Sequence, residues 1–272
     1  MKVHHLNCGT MHPWGAPDGL VCHVLLVETP NGLVLIDSGL GLRDRAAPAQ
    51  RFGPARHFVR PVFDESETAI RQVQSLGYHA ADVTDIVLTH FDADHIGGLA
   101  DFPHARVHLT AKEDAAMTNP GTLIENRRYL PAGHDHGPIL VTHDPAQGDM
   151  WRGFARATEL TDIADGIVLI GLPGHSRGHA AIAVDARDPD DPNAPDRWVL
   201  HIGDSLYHHG QIDGSGHTPR SLTAMERAIA YDWTQVRANH RRLRELWAEK
   251  QPDLVIVNAH CPTLLRRARE SG

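Results

Sequence analysis

Apolar positions along the chain fall in short runs bounded by glycine, proline or charged clusters. LVCHVLLVET and LVLIDSG, residues 20–29 and 33–39, read as two strands joined by a turn at Pro30-Asn31-Gly32. SETAIRQVQSLG, residues 66–77, has a serine at an N-cap position, apolar residues at helical spacing and a closing glycine, which predicts a helix. TDIVLTH is a short buried strand ending at His90, and IGGLADF opens the next helix. ARVHLT is another strand, followed by a helical stretch from near Ala111. DGIVLIGLPGH, HAAIAVDA and RWVLHIGDS are three further strands, residues 221–249 form one or two amphipathic helices, and PDLVIVNAH is a last buried strand. Strands rich in Val, Ile and Leu alternate with helices, so the class is α/β.

Residues 118–165 are polar, contain proline and glycine and show little periodicity. They are expected to be a long surface excursion that covers a pocket, shaped by Arg127, Arg128, Tyr129, Trp151 and Phe154. DARDPDDPNAPDR, residues 185–197, reads as a solvated hairpin loop. Two echoes suggest paired halves that deliver polar residues to one edge. DIVLTH ending at His90 resembles DLVIVNAH ending at His260, and LVLIDSG with Asp37 resembles VLHIGDS with Asp204.

Composition narrows the classes. A chain of 272 residues with 41% apolar content can bury a full core, and one domain over 1–272 is the expectation. The net charge of −8 argues against nucleic acid or an anionic membrane as partner. No apolar run approaches the roughly 20 residues that span a bilayer, and the first residues lack a signal-like apolar stretch. Cys8, Cys22 and Cys261 are odd in number without CxxC spacing, which suits a reducing, cytoplasmic setting. A small-molecule substrate is the expected partner, and the helix at 232–249 could serve a homodimer.

The 21 histidines change the picture most. Apolar strands end at or near His90, His175, Asp204 and His260, where a side chain is held rigidly yet faces a cleft. The turn after His90 adds Asp92, Asp94 and His95, with Gly97 and Gly98 allowing a tight fold-back. Imidazoles and carboxylates without thiolates suggest zinc, iron or manganese. His179 is expected to be structural, and His134 and His136 are expected in a solvated loop. His4, His5, His12, His208 and His209 read as ordinary, although the loop with His12 and Trp14 could line the pocket.

In order after IDSG, the strings THFDADH, PGHSRGH, GDSLY and NAH resemble the motifs of the metallo-β-lactamase superfamily, across about residues 20–262. The resemblance implies an αββα four-layer sandwich with two divalent metal ions at one edge. It implies that His90, Asp92 and His175 hold one ion and that Asp94, His95 and His260 hold the other. Asp204 would bridge them, and Asp37 would orient the ligands from behind. The departure is Asp92, where the family's usual string, H-x-H-x-D-H, has a histidine. Two zinc ions are the expectation, and the carboxylate there, which adds an oxygen donor and a negative charge, shifts preference toward iron or manganese without excluding zinc. A glutamate at this position occurs in the di-iron flavoproteins of the superfamily, which leaves a non-haem iron redox protein as a rival.

The resemblance further implies a hydrolase in which a metal-bridging hydroxide attacks a carbonyl. Twelve residues after His260 leave no room for the C-terminal helical domain of hydroxyacylglutathione hydrolases. The acidic balance and the lack of a large inserted domain speak against the superfamily's nucleases. Tyr207 lies three residues after Asp204, as in the N-acyl-homoserine lactonases, whose tyrosine hydroxyl faces the substrate carbonyl. The expected activity is therefore opening of a lactone or cleavage of a small carboxylic ester. Tyr207 would steady the oxyanion and Asp94 would pass a proton to the leaving alkoxide. A β-lactamase or thioesterase is the alternative among hydrolases.

Overall fold

The computed structural model describes residues 1–188, 190–191, 193–215 and 218–271, with Pro189 and Pro192 of the expected solvated loop outside that set. The strands are β1 (Lys2–Met11), β2 (Leu20–Thr29), β3 (Gly32–Ile36), β4 (Val83–Val87), β5 (Arg106–Thr110) and β6 (Ile139–His143), then β7 (Asp149–Trp151), β8 (Phe154–Glu159), β9 (Ile167–Gly171), β10 (Ala180–Asp185), β11 (Trp198–His201) and β12 (Leu254–Val257). The helices are α1 (Leu42–Ala46), α2 (Pro48–Phe52), α3 (Arg56–Val59), α4 (Ala69–Ser75) and α5 (Ala93–Ile96), then α6 (Ala111–Thr118), α7 (Leu123–Arg128), α8 (Arg220–Ile229), α9 (Trp233–Ala248) and α10 (Pro262–Glu270). One six-stranded sheet has the order β1-β2-β3-β4-β5-β6 and the other the order β12-β11-β10-β9-β8-β7.

Strand alternation builds the layers. In β2 and β3, Leu25, Val27, Val34 and Ile36 point to one face, while Val24, Leu26, Leu33 and Leu35 point to the other. In β9–β11, Leu169, Ile182, Val184 and Val199 meet the first set, which makes the core between the sheets. Outside the first sheet lie Ala69 and Val73 of α4 and Ala116 of α6. Outside the second lie Leu243 and Leu246 of α9 and Leu264 of α10. The result is helix, sheet, sheet, helix: the αββα arrangement. With both faces covered, the central strands are continuous apolar runs.

Three expectations needed correction. The excursion at 118–165 is largely structured: it supplies α7, gives edge strand β6 to the first sheet and β7 and β8 to the second. Trp151 and Phe154 therefore pack on the outer face of the second sheet instead of shaping a pocket. The helix at 66–77 shrinks to α4, preceded by a single 3-10 turn that Asp64 caps at the Ser66 amide. Gly97 and Gly98 belong to a 3-10 turn, because the chain there presses onto the segment after β3. A side-chain carbon on Gly97 would stand 1.9 Å from Asp44 Oδ2, and one on Gly98 2.7 Å from the Ser38 carbonyl oxygen.

That 3-10 turn ends at Asp101, whose carboxylate accepts from the Leu42 amide at 3.1 Å. Burial pushes its pKa up to about 6. The folded value exceeds the unfolded one, so the stability linked to its proton is full below about pH 4 and lost as pH rises through about 6. Asp101→Asn keeps the acceptor and removes the loss. Urea unfolding in chelator should show the variant about 1–3 kcal/mol more stable than the parent at pH 7.5 and equal to it near pH 4. A difference independent of pH would contradict this.

Candidate metal centre

All the strand-end residues singled out by the motifs meet at one edge of the sandwich. His90 lies just past β4, Asp94 and His95 on α5, His175 in the loop after β9, Asp204 after β11 and His260 after β12. Three sets, His90–Asp92–His175, His90–His95–Asp204 and Asp94–His95–His260, each have donor atoms within 4.8 Å of one another. Asp204 sits between the outer two. Its carboxylate is 3.0 Å from His260 Nε2, 3.2 Å from His95 Nε2, 3.6 Å from His175 Nε2 and 3.9 Å from His90 Nε2. Asp94 Oδ2 is 3.5 Å from His260 Nε2, and Asp92 Oδ2 is 3.1 Å from His175 Nε2 and 3.4 Å from His90 Nε2.

The outward ring nitrogens decide what the inward ones can do. His260 Nδ1 lies 2.8 Å from the Val21 carbonyl oxygen and must donate to it, which leaves Nε2 as a bare lone pair. His95 Nδ1 likewise donates to Asp37 Oδ2 at 2.8 Å. Asp37 also takes the Thr89 amide and hydroxyl at 2.7 and 2.8 Å, so the Thr89 oxygen accepts from His90 Nδ1 at 3.0 Å. Asp37 holds this post at φ 60°, a conformation that aspartate tolerates better than most residues.

Lone pairs therefore face carboxylate oxygens at hydrogen-bond distance. His90 Nε2, His95 Nε2 and Asp204 Oδ1 are buried with no hydrogen-bond partner among the described residues. Such a set is stable only around positive charge. Without a metal, protons supply some of it. Burial, the largest single influence, opposes protonation of His95 and His260, but the carboxylates together outweigh it, Asp204, Asp37 and Asp94 at His95 and Asp204 and Asp94 at His260, and both pKa values are raised. His175 goes the other way: burial and then Arg128 push it down to about 4, so its imidazole is neutral and free to coordinate. The donor set of nitrogen and carboxylate oxygen fits divalent zinc, iron or manganese.

The metallo-beta-lactamase superfamily model matches residues 17–251. The chain belongs to that superfamily. A probable metallo-hydrolase of Mycobacterium tuberculosis is 50% identical over 272 residues, 100% of this chain and 84% of its own length. An N-acyl homoserine lactonase of Agrobacterium fabrum is 24% identical over 184 residues, 67% of this chain and 66% of its own. Among solved structures, an N-acyl homoserine lactone hydrolase with N-hexanoyl-L-homoserine at its catalytic metal centre aligns with a TM-score of 0.64 at 18% identity, covering 100% of this chain and 96% of the other. Like other members of the metallo-beta-lactamase superfamily, the protein is a metallo-hydrolase, and such enzymes bind divalent metals, usually two.

Within this superfamily fold, some residues behave as the sequence suggests and others do not. His179 is structural: Nδ1 donates to the Leu172 carbonyl and Nε2 accepts from the Asp204 amide at 3.0 Å. Tyr207 is buried and lines the cleft, and its hydroxyl donates to Asp204 Oδ2 at 2.6 Å. Arg127 and Arg128 line the cleft too, whereas Tyr129 lies behind it, donating to Glu113.

Glu113 was not singled out from the sequence, and only its N-terminal place in a helix hints at it. Buried and without a cationic partner among the described residues, it accepts from the Phe91 amide, Tyr129 Oη, Ser176 Oγ and the Gly178 amide at 2.6–3.0 Å. It thereby ties the loop carrying His90 and Asp92 to the loop carrying His175.

Because Asp37 holds His95 directly and His90 through Thr89, Asp37→Ala should weaken zinc binding about 10–100-fold. Chelator competition on purified protein measures this. Unchanged affinity would show that the outward nitrogens need no anchor.

Proposed function

We propose that the protein opens lactones or cleaves small carboxylic esters that carry an apolar acyl group, with metal held by His90, Asp92 and His175 and by Asp94, His95 and His260, and with Asp204 between. The observation that carries the reading is the cleft above these residues. It has a volume of about 330 Å³ and is lined by Met11, Leu20, Phe52, Phe58, Met225 and Ile229 as well as by Asp92, Asp94, Asp204, Tyr207 and His260. An apolar wall facing a ring of carboxylates and imidazoles suits a substrate with a hydrocarbon tail and one polar, hydrolysable head. The lactonase relatives support the same substrate class.

A bound divalent pair supplies a water-derived nucleophile near neutral pH and polarises a carbonyl. The chain supplies the rest. Tyr207 Oη stands 2.6 Å from Asp204 Oδ2 on the cleft wall, and turning its proton from that carboxylate to a substrate carbonyl oxygen would stabilise the developing oxyanion. Burial and the neighbouring Asp204 raise its pKa well above the ordinary tyrosine value, which keeps that proton in place. Asp94, partly exposed to the cleft, is the group within reach to carry a proton to the departing alkoxide. The apolar walls exclude competing water and hold the acyl tail.

Protein reconstituted with zinc or manganese is to be assayed against N-acyl-homoserine lactones, simple lactones, aryl esters, thioesters, β-lactams and phosphodiesters. Lactones or esters should be turned over fastest. His175→Ala and Asp204→Ala should abolish both metal loading and turnover, and Tyr207→Phe should lower kcat by about 10²-fold. A phosphodiester or β-lactam preferred over every lactone and ester would overturn the reading.

A further inference from the structure

The carboxylate that departs from the superfamily string does not stand alone. Arg128, at the last turn of α7, reaches back so that its Nη1 lies 3.1 Å from Asp92 Oδ1, while its Nη2 donates to the Ile229 carbonyl oxygen. The Arg128 side chain is only 6% exposed. Neither Arg128 Nη1 nor Asp92 Oδ1 has a hydrogen-bond partner among the described residues, so each is the other's nearest electrostatic complement. The second oxygen of Asp92, Oδ2, is the one turned to His175 and His90, at 3.1 and 3.4 Å.

We infer that Arg128 is a positioning residue of the metal centre, which with Asp92 makes a neutral, single-donor unit in place of an imidazole. The inference rests on the reading of His90, Asp92 and His175 as metal ligands. A histidine would bring one nitrogen donor and no charge to this corner. Aspartate alone brings two oxygens and a charge of −1, a harder and more flexible ligand that favours cations of higher coordination number. Arg128 removes both differences. Its charge cancels that of the carboxylate, and its hold on Oδ1 leaves Oδ2 as the sole donor. The corner therefore keeps the donor count and net charge suited to zinc, despite the change of residue.

The two residues should consequently be exchangeable only as a pair. Asp92→His alone places an imidazole beside a buried guanidinium that has lost its acid, which repels a cation. Asp92→His with Arg128→Met restores a neutral single donor. Zinc affinity, measured by chelator competition with the bound ions counted by mass spectrometry, should fall about 10–100-fold in Asp92→His and recover to within about threefold of the parent in the double variant. Arg128→Met alone should shift the zinc-over-manganese preference about tenfold toward manganese, and Arg128→Lys, which keeps the charge but not the fork, should fall between it and the parent. The visible spectrum of the cobalt-substituted protein should change in Arg128→Met and return toward the parent in Arg128→Lys. The ion at Asp94, His95 and His260 serves as an internal control for correct folding in every variant.

Equal zinc affinity in Asp92→His and the double variant, or an unchanged metal preference in Arg128→Met, would overturn the inference while leaving the ligand assignment intact. A parent protein that takes up no metal would overturn both.

Discussion

Electron pairs aimed at one another cannot be buried together without positive charge between them, and this constraint organises the whole edge of the sandwich. His95 and His260 are locked with their protons on the outward nitrogen, by Asp37 and by the Val21 carbonyl. Their inward nitrogens then face Asp204 at 3.2 and 3.0 Å. In water such an arrangement would relax by rotation. Here the rings and carboxylates sit in packed loops at the ends of strands whose interior residues are fully buried, so the site is preorganised to receive cations. The same rigidity that stabilises the core between the sheets keeps the donors converging.

Much of the supporting structure exists to hold the loops in register. Glu113 gathers amides and hydroxyls from the loops of His90 and His175 and from Tyr129. On the other flank, Arg51 is buried against Asp44, which accepts from the Gly41 amide where that segment meets Gly97. Behind Tyr207, Glu226 accepts from Gln211, whose side-chain oxygen takes the amides of Tyr207 and His208. These buried polar groups find their hydrogen-bond partners within the protein and restrict the motion of the loops that carry the site. Asp92, at the position proposed as a ligand, faces the charge of another side chain, Arg128, brought in from α7.

The central strands were legible in the sequence because both faces of each are buried, and an apolar run such as LVLI in β3 states that directly. The edge strands β1 and β6 of the first sheet were not. In β1 the histidines His4 and His5 interrupt the apolar alternation, yet His4 pairs with Glu28 and His5 with His23 across the strands. In β6 the side chains are half-buried or exposed, so no pattern marks it, and residues 118–165 looked like a loop. That His90, Asp92, Asp94, His95, His175, Asp204 and His260 come together at one edge was legible because motif spacing carries chemistry over long separations. The partnership of Asp92 with Arg128 was not, since it depends on α7 folding back across the cleft and leaves no local trace in either segment.

The most direct test of the central claim is anomalous diffraction from crystals grown with zinc. The account predicts two strong peaks at this edge, one within coordination distance of His90, Asp92 and His175 and one of Asp94, His95 and His260, both beside Asp204. Crystals that bind zinc only elsewhere, or that show these seven side chains turned away from any ion, would contradict it.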